Sequence, residues 1–391
     1  MRVLSVSGEK DLKQAMRDIR VDSCGIKIML PKARAYLLKI NGINNISANI
    51  LKQEMLSLGG DVAVARGALT GKSRKTDCLV MGNLSQLGRL SAKLHQQPFG
   101  LEEIGRQLVL ALKNYTREKL VLDLGGRKLN VGARSYLMGI VNVTPDSFSG
   151  DGIYPGTAAE YAEKLAAEGA DIIDVGGESS RPGAKRIPLS EELARVIPAV
   201  RAIVKKIKTP VSIDTYKPEV ARQALDNGAA MINDITALQD KAMAKVINRY
   251  KAAVVLMHMR GSPATMQKDP SYGSLIDEII ACLAGARSRA LDAGINEEKI
   301  IIDPGIGFGK TLEHNLEILK RLKEFKALGR PILAGVSRKA FIGKILDAGP
   351  QERISGTIAS CVMAAQNGAN ILRVHDVKPV KQALLVGDLL K

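Results

Sequence analysis

The sequence predicts an α/β fold, a (β/α)8 TIM barrel preceded by a small N-terminal α/β domain. Eight short runs rich in Val, Ile and Leu follow one another from residue 137 to the end, and amphipathic helical patterns lie between them. Strands that are apolar throughout indicate a parallel sheet covered by helices, and eight units in about 255 residues match a closed barrel. An open doubly wound sheet is the alternative that the same alternation allows.

Each element of this prediction can be placed on the chain. The strands are LMGIVNV, ADIIDVG, PVSIDT, AAMINDI, AAVVLMH, KIIIDPG, PILAGVS and NILRVHD. The helical patterns include TAAEYAEKLAAEGA, KPEVARQALDNGA, SLIDEIIACLAGARSRALDAG and ERISGTIASCVMAAQNGA, several with Gly at the expected C-cap. Residues 119–136, KLVLDLGGRKLNVGARSY, predict a hairpin that turns at Gly125-Gly126 and closes the bottom of the barrel.

Residues 1–118 predict a separate α/β domain of unknown role, and residues 119–391 the hairpin and the barrel. The N-terminal part mixes helical patterns (DLKQAMRDI, ANILKQEMLSLG, LEEIGRQLVLALKNY) with the strand-like runs GIKIML and DCLVMG. Its GALTGKS, residues 67–73, falls short of a phosphate-binding loop, because only three residues separate Gly67 from Gly71. We interpret this stretch as a solvated basic turn.

Charge and composition narrow the class of protein. The net charge is +17, and residues 1–120 hold 20 basic and 10 acidic side chains. Aromatic residues are only 3% of the chain, with no Trp, so a solvated basic face is favoured over a nucleic-acid surface. The four Cys are far apart, which predicts neither a disulfide framework nor a zinc site. Without a long apolar run, we expect no membrane partner and a cytoplasmic location.

Polar residues cluster where the predicted strands end. In a barrel all C-terminal strand ends meet at one mouth, so these side chains should converge. A deep sub-site would combine carboxylates, an amide and an amine, suited to a planar heterocycle, in Asp214, Asn233, Asp303 and Lys339. A second sub-site nearer the rim would combine cations and an amide, suited to phosphates, in Arg181, Arg373, His375 and Asn142.

Two of these strand ends also allow structural interpretations. Asp303 lies in IIIDPGIGFGKT, where an Asp-Pro-Gly turn needs only a capping carboxylate. His258, flanked by two Met in VLMHMRG, is interpreted as a structural histidine.

Eight stretches carry a family resemblance over nearly the whole barrel. They are GIVNVTPDSFSGDG, IDVGGESSRPGA, SIDTYKPEVARQAL, INDI, LMHMRGSPATMQ, IIIDPGIGFGKTLEHNLEIL, GVSRKAFIG and RVHDVKPV. From about residue 120 onward the chain resembles the dihydropteroate synthases of folate biosynthesis. Residues 1–118 resemble an extension found in only some members of that family.

The resemblance implies a transferase that joins p-aminobenzoate to a hydroxymethyl-dihydropterin pyrophosphate and releases pyrophosphate. It implies that the deep sub-site binds the pterin in a slot lined by Met257, Gly307 and Phe308. Arg373, His375 and Asn142 would hold the pyrophosphate with Mg²⁺, with Asn142 as the metal ligand. The aminobenzoate pocket would be shaped by Phe148, Ser180, Arg181 and Pro182. The resemblance also implies a homodimer.

Departures from the family pattern are few. Ala340 stands where many members carry Ser, which predicts a modest weakening of aminobenzoate binding, and Ser180 replaces a common Thr with its hydroxyl kept. Two other functions remain open. One is a pterin-binding methyltransferase that depends on a corrinoid, and the other is a pterin-binding protein without catalysis.

Overall fold

The chain divides between Thr116 and Arg117 into two units, two residues before the border that the sequence predicts. The computed structural model describes residues 1–6, 8–144, 157–179, 181 and 183–390. Among these residues, no helix combines the length and the apolar composition that a membrane crossing requires.

The N-terminal unit is a three-stranded antiparallel sheet with helices. Its strands are Ala35–Asn44 (β1), Asp61–Val64 (β2) and Lys75–Asn83 (β3), in the order β1-β3-β2. Its helices are Glu9–Asp18 (α1), Ser23–Met29 (α2), Asn45–Ser57 (α3), Arg66–Leu69 (α4), Leu84–Leu94 (α5) and Leu101–Thr116 (α6). Residues of α3, α5, α6 and the sheet form one apolar core that includes Leu51, Met55, Val80, Leu90 and Leu108.

One strand prediction in this unit was wrong. The run GIKIML lies largely in the helix α2, because the Asp22 side chain accepts the backbone N–H groups of Cys24 and Gly25 at 2.8 and 2.9 Å and caps the helix start. The first strand instead forms from AYLLKINGIN, whose burial partly alternates along β1. Within GALTGKS, a single helical turn is followed by Gly71 at φ +72°.

The predicted hairpin is confirmed. Leu120–Leu124 (β4) and Arg127–Val131 (β5) pair in antiparallel register across Gly125 and Gly126, whose φ angles are +63° and +100°. Asp123 accepts the Gly126 N–H at 2.8 Å and fixes the turn.

The predicted barrel is confirmed. The alternative, an open doubly wound sheet, is not the observed fold. The barrel strands are Tyr136–Asn142 (β6), Ile172–Gly176 (β7), Val211–Asp214 (β8), Met231–Asp234 (β9), Ala253–Met257 (β10), Ile300–Asp303 (β11), Leu333–Gly335 (β12) and Ile371–Val374 (β13). They form one parallel sheet in the order β11-β10-β9-β8-β7-β6-β13-β12. A parallel bridge between Ile302 and Ile332 joins its two ends.

Helices cover the outside of the barrel between the strands. They are Ala158–Ala167 (α7), Leu189–Lys206 (α8), Pro218–Asp226 (α9), Lys241–Tyr250 (α10), Leu275–Asp292 (α11), Leu312–Arg321 (α12), Ala340–Leu346 (α13), Ile354–Gln366 (α14) and Val377–Leu389 (α15). The predicted C-terminal glycines Gly169, Gly228, Gly294 and Gly368 have φ angles of +104°, +95°, +85° and +106°. These left-handed conformations explain why glycine ends those helices.

Alternation along the strands builds the interior in layers. The lowest layer is apolar and packs on the hairpin, with Met138, Ile172, Met231, Val255, Ile301, Leu333 and Ile371. Because side chains alternate along a strand, the residue two positions later also points inward. That second layer contains Ile140, Asp174, Asn233, Met257, Asp303, Gly335 and Arg373. The barrel therefore has an apolar bottom and a polar layer directly above it.

Candidate active site

A cavity of about 670 Å³ opens at the C-terminal ends of the barrel strands. Eleven of the side chains predicted from the sequence line it, namely Asn142, Arg181, Asp214, Asn233, Met257, Asp303, Gly307, Phe308, Lys339, Arg373 and His375. The other three, Phe148, Ser180 and Pro182, lie outside the described residues.

The floor of the cavity is a network of charged and amide groups. Arg373 donates from Nε to Asp174 Oδ2 at 2.6 Å and from Nη2 to Asp214 Oδ2 at 2.8 Å. Asn233 donates from Nδ2 to the same Asp174 oxygen at 3.0 Å. Strands β7, β8, β9 and β13 thus each place one side chain in a single network.

The placement of Arg373 nearer the rim was wrong. Arg373 follows the bottom-layer residue Ile371 by two positions, so the strand turns its side chain into the floor. Asp174, which is not among the residues predicted from the sequence, is fully buried and holds Arg373 there. The sign of this residue in the sequence is an acid inside the otherwise apolar strand run IIDVG, residues 172–176.

Burial and pairing act in opposite directions on the floor charges. Burial raises the pKa of Asp214, and the adjacent Arg373 opposes that rise. Burial would lower the pKa of Arg373, but the carboxylates of Asp174 and Asp214 outweigh it and raise that pKa. The guanidinium therefore stays charged and neutralises part of the acidic floor.

Asp303 both caps a turn and lines the cavity. Its Oδ1 accepts the Gly305 N–H at 2.7 Å, as the structural interpretation of the Asp-Pro-Gly turn requires. Burial raises its pKa to about 6, while that hydrogen bond and Lys339 act against the rise. The carboxylate is thus fixed in direction and faces a site where its charge has little water around it.

Two lysines lie near this carboxylate. Lys339 Nζ is 4.1 Å from the centroid of the Phe308 ring, and burial, reinforced by Arg373, lowers its pKa to about 8. Lys310, which the sequence analysis did not single out, donates to the Phe308 carbonyl at 3.0 Å. Burial lowers its pKa to about 7 even though Asp303 favours its charged form. Both amines can change charge near neutral pH.

His258 has the structural role that its sequence context suggested. Its Nδ1 lies 3.0 Å from Lys310 Nζ, and its backbone N–H donates to the Asp303 carbonyl at 2.9 Å. Burial, together with Lys310, lowers its pKa to about 3, so the imidazole is neutral and accepts from the lysine. This contact ties the end of β10 to the loop after β11.

His375, predicted among the cations of the phosphate sub-site, lies beside other cations that disfavour its protonated form. Burial and the surrounding cations, first Arg373 and then Arg338, lower its pKa to about 3. The Ser337 hydroxyl oxygen accepts the His375 backbone N–H at 3.2 Å and lies 3.1 Å from Nδ1. Because that oxygen already accepts, its own proton is best placed toward Nδ1, and Nε2 then carries the imidazole proton. In this arrangement a neutral His375 would donate from Nε2.

Met257, Gly307 and Phe308 line the cavity beside Lys339. Gly307 has φ +83°, and a Cβ at this position would lie 3.1 Å from Lys339 Cδ. The Gly307 N–H donates to Asn315 Oδ1 at 2.7 Å, and its carbonyl accepts from Gln267 at 2.9 Å. Glycine is required here because the backbone is left-handed and the lysine passes close to it.

A second network, also missed from the sequence, holds the start of the loop ESSRPGA. Lys217 Nζ lies 2.6 Å from Glu178 Oε2 and 2.7 Å from Glu192 Oε2. Thr215 donates to Glu192 at 2.6 Å, and the Tyr216 hydroxyl donates to Glu178 at 2.8 Å. Since Glu178 lines the cavity, this network connects the loop to the turn that follows Asp214.

The part of the cavity wall that the structure describes contains no preformed metal site. Among the described residues, no group of three or more His, Cys, Asp or Glu side chains is placed to hold a metal ion. Asn142, at the end of β6, lines the cavity. A hard cation would need further oxygens from a bound ligand to complete its coordination.

Comparisons with known proteins agree with this geometry. The model of a family described as "pterin binding enzyme" matches residues 138–375. The dihydropteroate synthase of Synechocystis sp. is 47% identical over 273 residues, which are 69% of this chain and 94% of that protein. A solved structure of Xanthomonas albilineans dihydropteroate synthase with 4-aminobenzoic acid is 41% identical with a TM-score of 0.65, over 70% of this chain and 98% of that one.

A further relative reaches beyond the barrel. A probable bifunctional folylpolyglutamate synthase/dihydropteroate synthase of Halobacterium salinarum is 39% identical over 383 residues. The match covers 97% of this chain and 46% of that protein. The N-terminal unit therefore has a counterpart within a longer protein.

Proposed function

This chain belongs to the pterin-binding enzyme family and, within it, to the dihydropteroate synthases, and from that premise we propose how its cavity performs the reaction. It is a transferase that condenses p-aminobenzoate with a hydroxymethyl-dihydropterin pyrophosphate to give dihydropteroate and pyrophosphate. The observation that carries the assignment of roles is the polar floor, in which two carboxylates, an amide and two cations face one cavity above an apolar bottom layer.

The floor would bind the pterin through its edges. Asp214 and Asp303 accept hydrogen bonds from the ring N–H and amine groups, and Lys339 donates to its carbonyl or ring nitrogen. Met257 and Phe308 would pack against the faces of the ring. The cavity is closed below by apolar side chains, so only a planar group with polar edges satisfies these residues together.

The diphosphate would lie above the pterin, toward the opening. Arg373 has one terminal nitrogen, Nη1, left to donate after Nε and Nη2 bind the floor carboxylates. His375 would donate from Nε2, and Arg181 would add a second cation. A neutral histidine and two arginines can hold the anion without proton transfer from the protein.

Mg²⁺ fits this chain only together with the substrate. Asn142 lines the cavity and has an amide oxygen that could bind a hard cation, and Mg²⁺ commonly takes its remaining ligands from phosphate oxygens and water. We propose that Asn142 helps to hold a magnesium ion that the diphosphate brings. When bound, the ion would neutralise charge on the leaving group.

The reaction needs negative charge beside the ring and stabilisation of the departing anion. The C–O bond between the pterin methylene and the diphosphate breaks, and its electron pair leaves with the diphosphate. Asp214 and Asp303 lie where they would stabilise the positive charge that then develops on the pterin. The aminobenzoate nitrogen attacks the methylene carbon and afterwards loses a proton to water or to the departing diphosphate, so no covalent intermediate with the protein is needed.

The aminobenzoate would enter at the loop that Glu178 begins. Arg181 lines the cavity and would face its carboxylate, with Phe148, Ser180 and Pro182 as the proposed remaining contacts. Ala340 also lines the cavity and brings no hydroxyl. This placement puts the acceptor amine on the open side of the pterin.

We also propose a cytoplasmic homodimer. Apolar side chains on the outer helices support it, since Met363, Leu385 and Leu389 are 54%, 59% and 87% exposed. Light scattering on the full chain should give twice the monomer mass of 42.0 kDa. A mass that stays at the monomer value over the micromolar range would exclude the dimer.

The function is tested by incubating the full chain with both substrates and Mg²⁺ and measuring dihydropteroate by mass spectrometry. We expect product with wild type and a loss of about 100-fold or more in kcat/KM with Lys339→Met, since that variant leaves two buried carboxylates short of a cation. Methyl transfer in place of dihydropteroate formation would favour the corrinoid-dependent alternative.

A further inference from the structure

We infer that Asp174 is a positioning residue that holds Arg373 and Asn233 in the arrangement the reaction needs. It makes no contribution to the cavity wall, yet it accepts hydrogen bonds from two side chains that do. The inference rests on the proposed function of the cavity. It assigns a role to a residue that lies in the stretch IDVGGESSRPGA but was not among the predicted site residues.

Among the residues that the structure describes, the side chains that hydrogen-bond to Asp174 are Asn233 and Arg373. Asp174 lies on β7, between Ile140 of β6 and Ser212 of β8 in the strand register, and its exposed fraction is 0%. Both hydrogen bonds reach the same oxygen, Oδ2, while Oδ1 has no partner among the described residues. An incompletely bonded buried carboxylate reduces stability, so its presence points to a function in the site.

Asp174 determines which part of Arg373 meets the leaving group. The guanidinium is planar and rigid, and Asp174 accepts from Nε while Asp214 accepts from Nη2. With these two nitrogens fixed, Nη1 is the donor that can reach a diphosphate. Without the Asp174 carboxylate, the guanidinium could rotate fully onto Asp214 and cover a group that the pterin needs.

Asp174 also determines which atom Asn233 presents. An ionised carboxylate can only accept, so it must be met by the amide nitrogen and never by the amide oxygen. The 3.0 Å contact from Nδ2 therefore turns Oδ1 of Asn233 toward the cavity as an acceptor. One buried oxygen of Asp174 thus determines which atom Asn233 presents to the pterin and which nitrogen of Arg373 faces the diphosphate.

Asp174→Asn tests this role in the full-length protein with Mg²⁺ and both substrates. The amide is isosteric but removes the charge and can pair with either end of Asn233. We expect kcat/KM for the pterin pyrophosphate to fall about 10- to 100-fold, the range seen when groups that orient ligands are removed. The KM for p-aminobenzoate should stay within about two-fold, because the loop that Glu178 begins is held separately.

Asp234→Asn is the matched control. Asp234 is equally buried on the neighbouring strand β9, but its carboxylate accepts from Thr236 and from the Leu238 backbone outside the cavity. This variant should lower the denaturation midpoint and leave both KM values unchanged. Equal kinetic effects of the two substitutions would overturn the inference, as would wild-type kinetics in Asp174→Asn.

Non-additivity gives a second readout. If Asp174 acts through Asn233, Asp174→Asn should reduce kcat/KM less in an Asn233→Ser background than in wild type. Purely additive effects would contradict the role. Should Asp174→Asn fail to fold, Asp174→Glu keeps the charge, displaces it by one methylene and should still lower kcat/KM for the pterin substrate. If the wild-type protein forms no dihydropteroate, the proposed function itself is refuted. If only the variants behave differently from expectation, the positioning role of Asp174 is refuted and the proposed function stands.

Discussion

Replacing Asp303 by Asn should increase the stability of the folded protein at neutral pH and weaken its binding of the pterin. The carboxyl is 6% exposed, and burial raises its pKa from 3.8 to about 6. A raised pKa means that the unfolded chain loses this proton first, so stability falls as pH rises from about 4 to about 6 and stays reduced above that range. At about 1.4 kcal/mol per pKa unit, the ionised carboxylate costs about 3 kcal/mol at pH 7.

The Asp303→Asn variant would keep the Gly305 hydrogen bond, since the new amide oxygen can accept that N–H. It would avoid the ionisation penalty, and we expect up to about 3 kcal/mol of added stability at pH 7. It would also present a neutral acceptor to the pterin in place of a charged one. Loss of a hydrogen bond to a charged group is worth about 1.5 to 3 kcal/mol, or about 10- to 150-fold in affinity.

Two assays on the same variant check the opposed effects. Urea denaturation of wild type and Asp303→Asn from pH 3.5 to 8 should give curves that meet at low pH and separate between about pH 4 and 6. Calorimetric titration with the pterin pyrophosphate should show the weaker binding. A variant that is less stable at pH 7, or one that binds the pterin as wild type does, would refute this account of Asp303.

Two further predictions concern Lys339 and Lys217. Burial lowers the pKa of Lys339 to about 8, so kcat/KM for the pterin substrate should fall above about pH 8. In Lys339→Arg this fall at alkaline pH should disappear, because arginine stays charged, while kcat/KM is lower at every pH. If kcat/KM of Lys339→Arg still falls above about pH 8, a group other than Lys339 causes the fall. Lys217→Met leaves the carboxylate of Glu192, which is 1% exposed, without its cation. The variant should therefore lower the free energy of unfolding by about 3 to 5 kcal/mol. It should also raise the KM for p-aminobenzoate and leave the KM for the pterin substrate unchanged. Restored stability in Lys217→Met/Glu192→Gln would support this cause, and an equal rise in the pterin KM would contradict it.

The barrel could be predicted because its periodicities are local. Apolar strands, amphipathic helices and terminal glycines each report on neighbouring residues, and together they specify one architecture. The strand GIKIML failed for the same reason. Six mostly apolar residues fit a strand or a buried helix equally, and the deciding group, Asp22, lies outside the run.

The sequence predicted which residues form the site better than it predicted their depth and charge. Strand ends identify which residues reach the mouth, since the topology brings them there. Depth depends on the inward alternation counted from the bottom layer, which places Arg373 level with Asp303 and Asp174. The charge state of His375 depends on cations from other strands and loops, and no local pattern reveals it. Asp174 escaped notice because it lies inside a strand and not at its end.

Pyrophosphate release by the full-length protein is the decisive measurement of whether this cavity is a synthase site. The protein would be given Mg²⁺ and the pterin pyrophosphate, with and without p-aminobenzoate, and both products would be quantified over time. We expect one pyrophosphate to be released per dihydropteroate formed, and turnover only when both substrates are present. No release from verified substrate would contradict this expectation, because the cavity would then bind a pterin without turning it over.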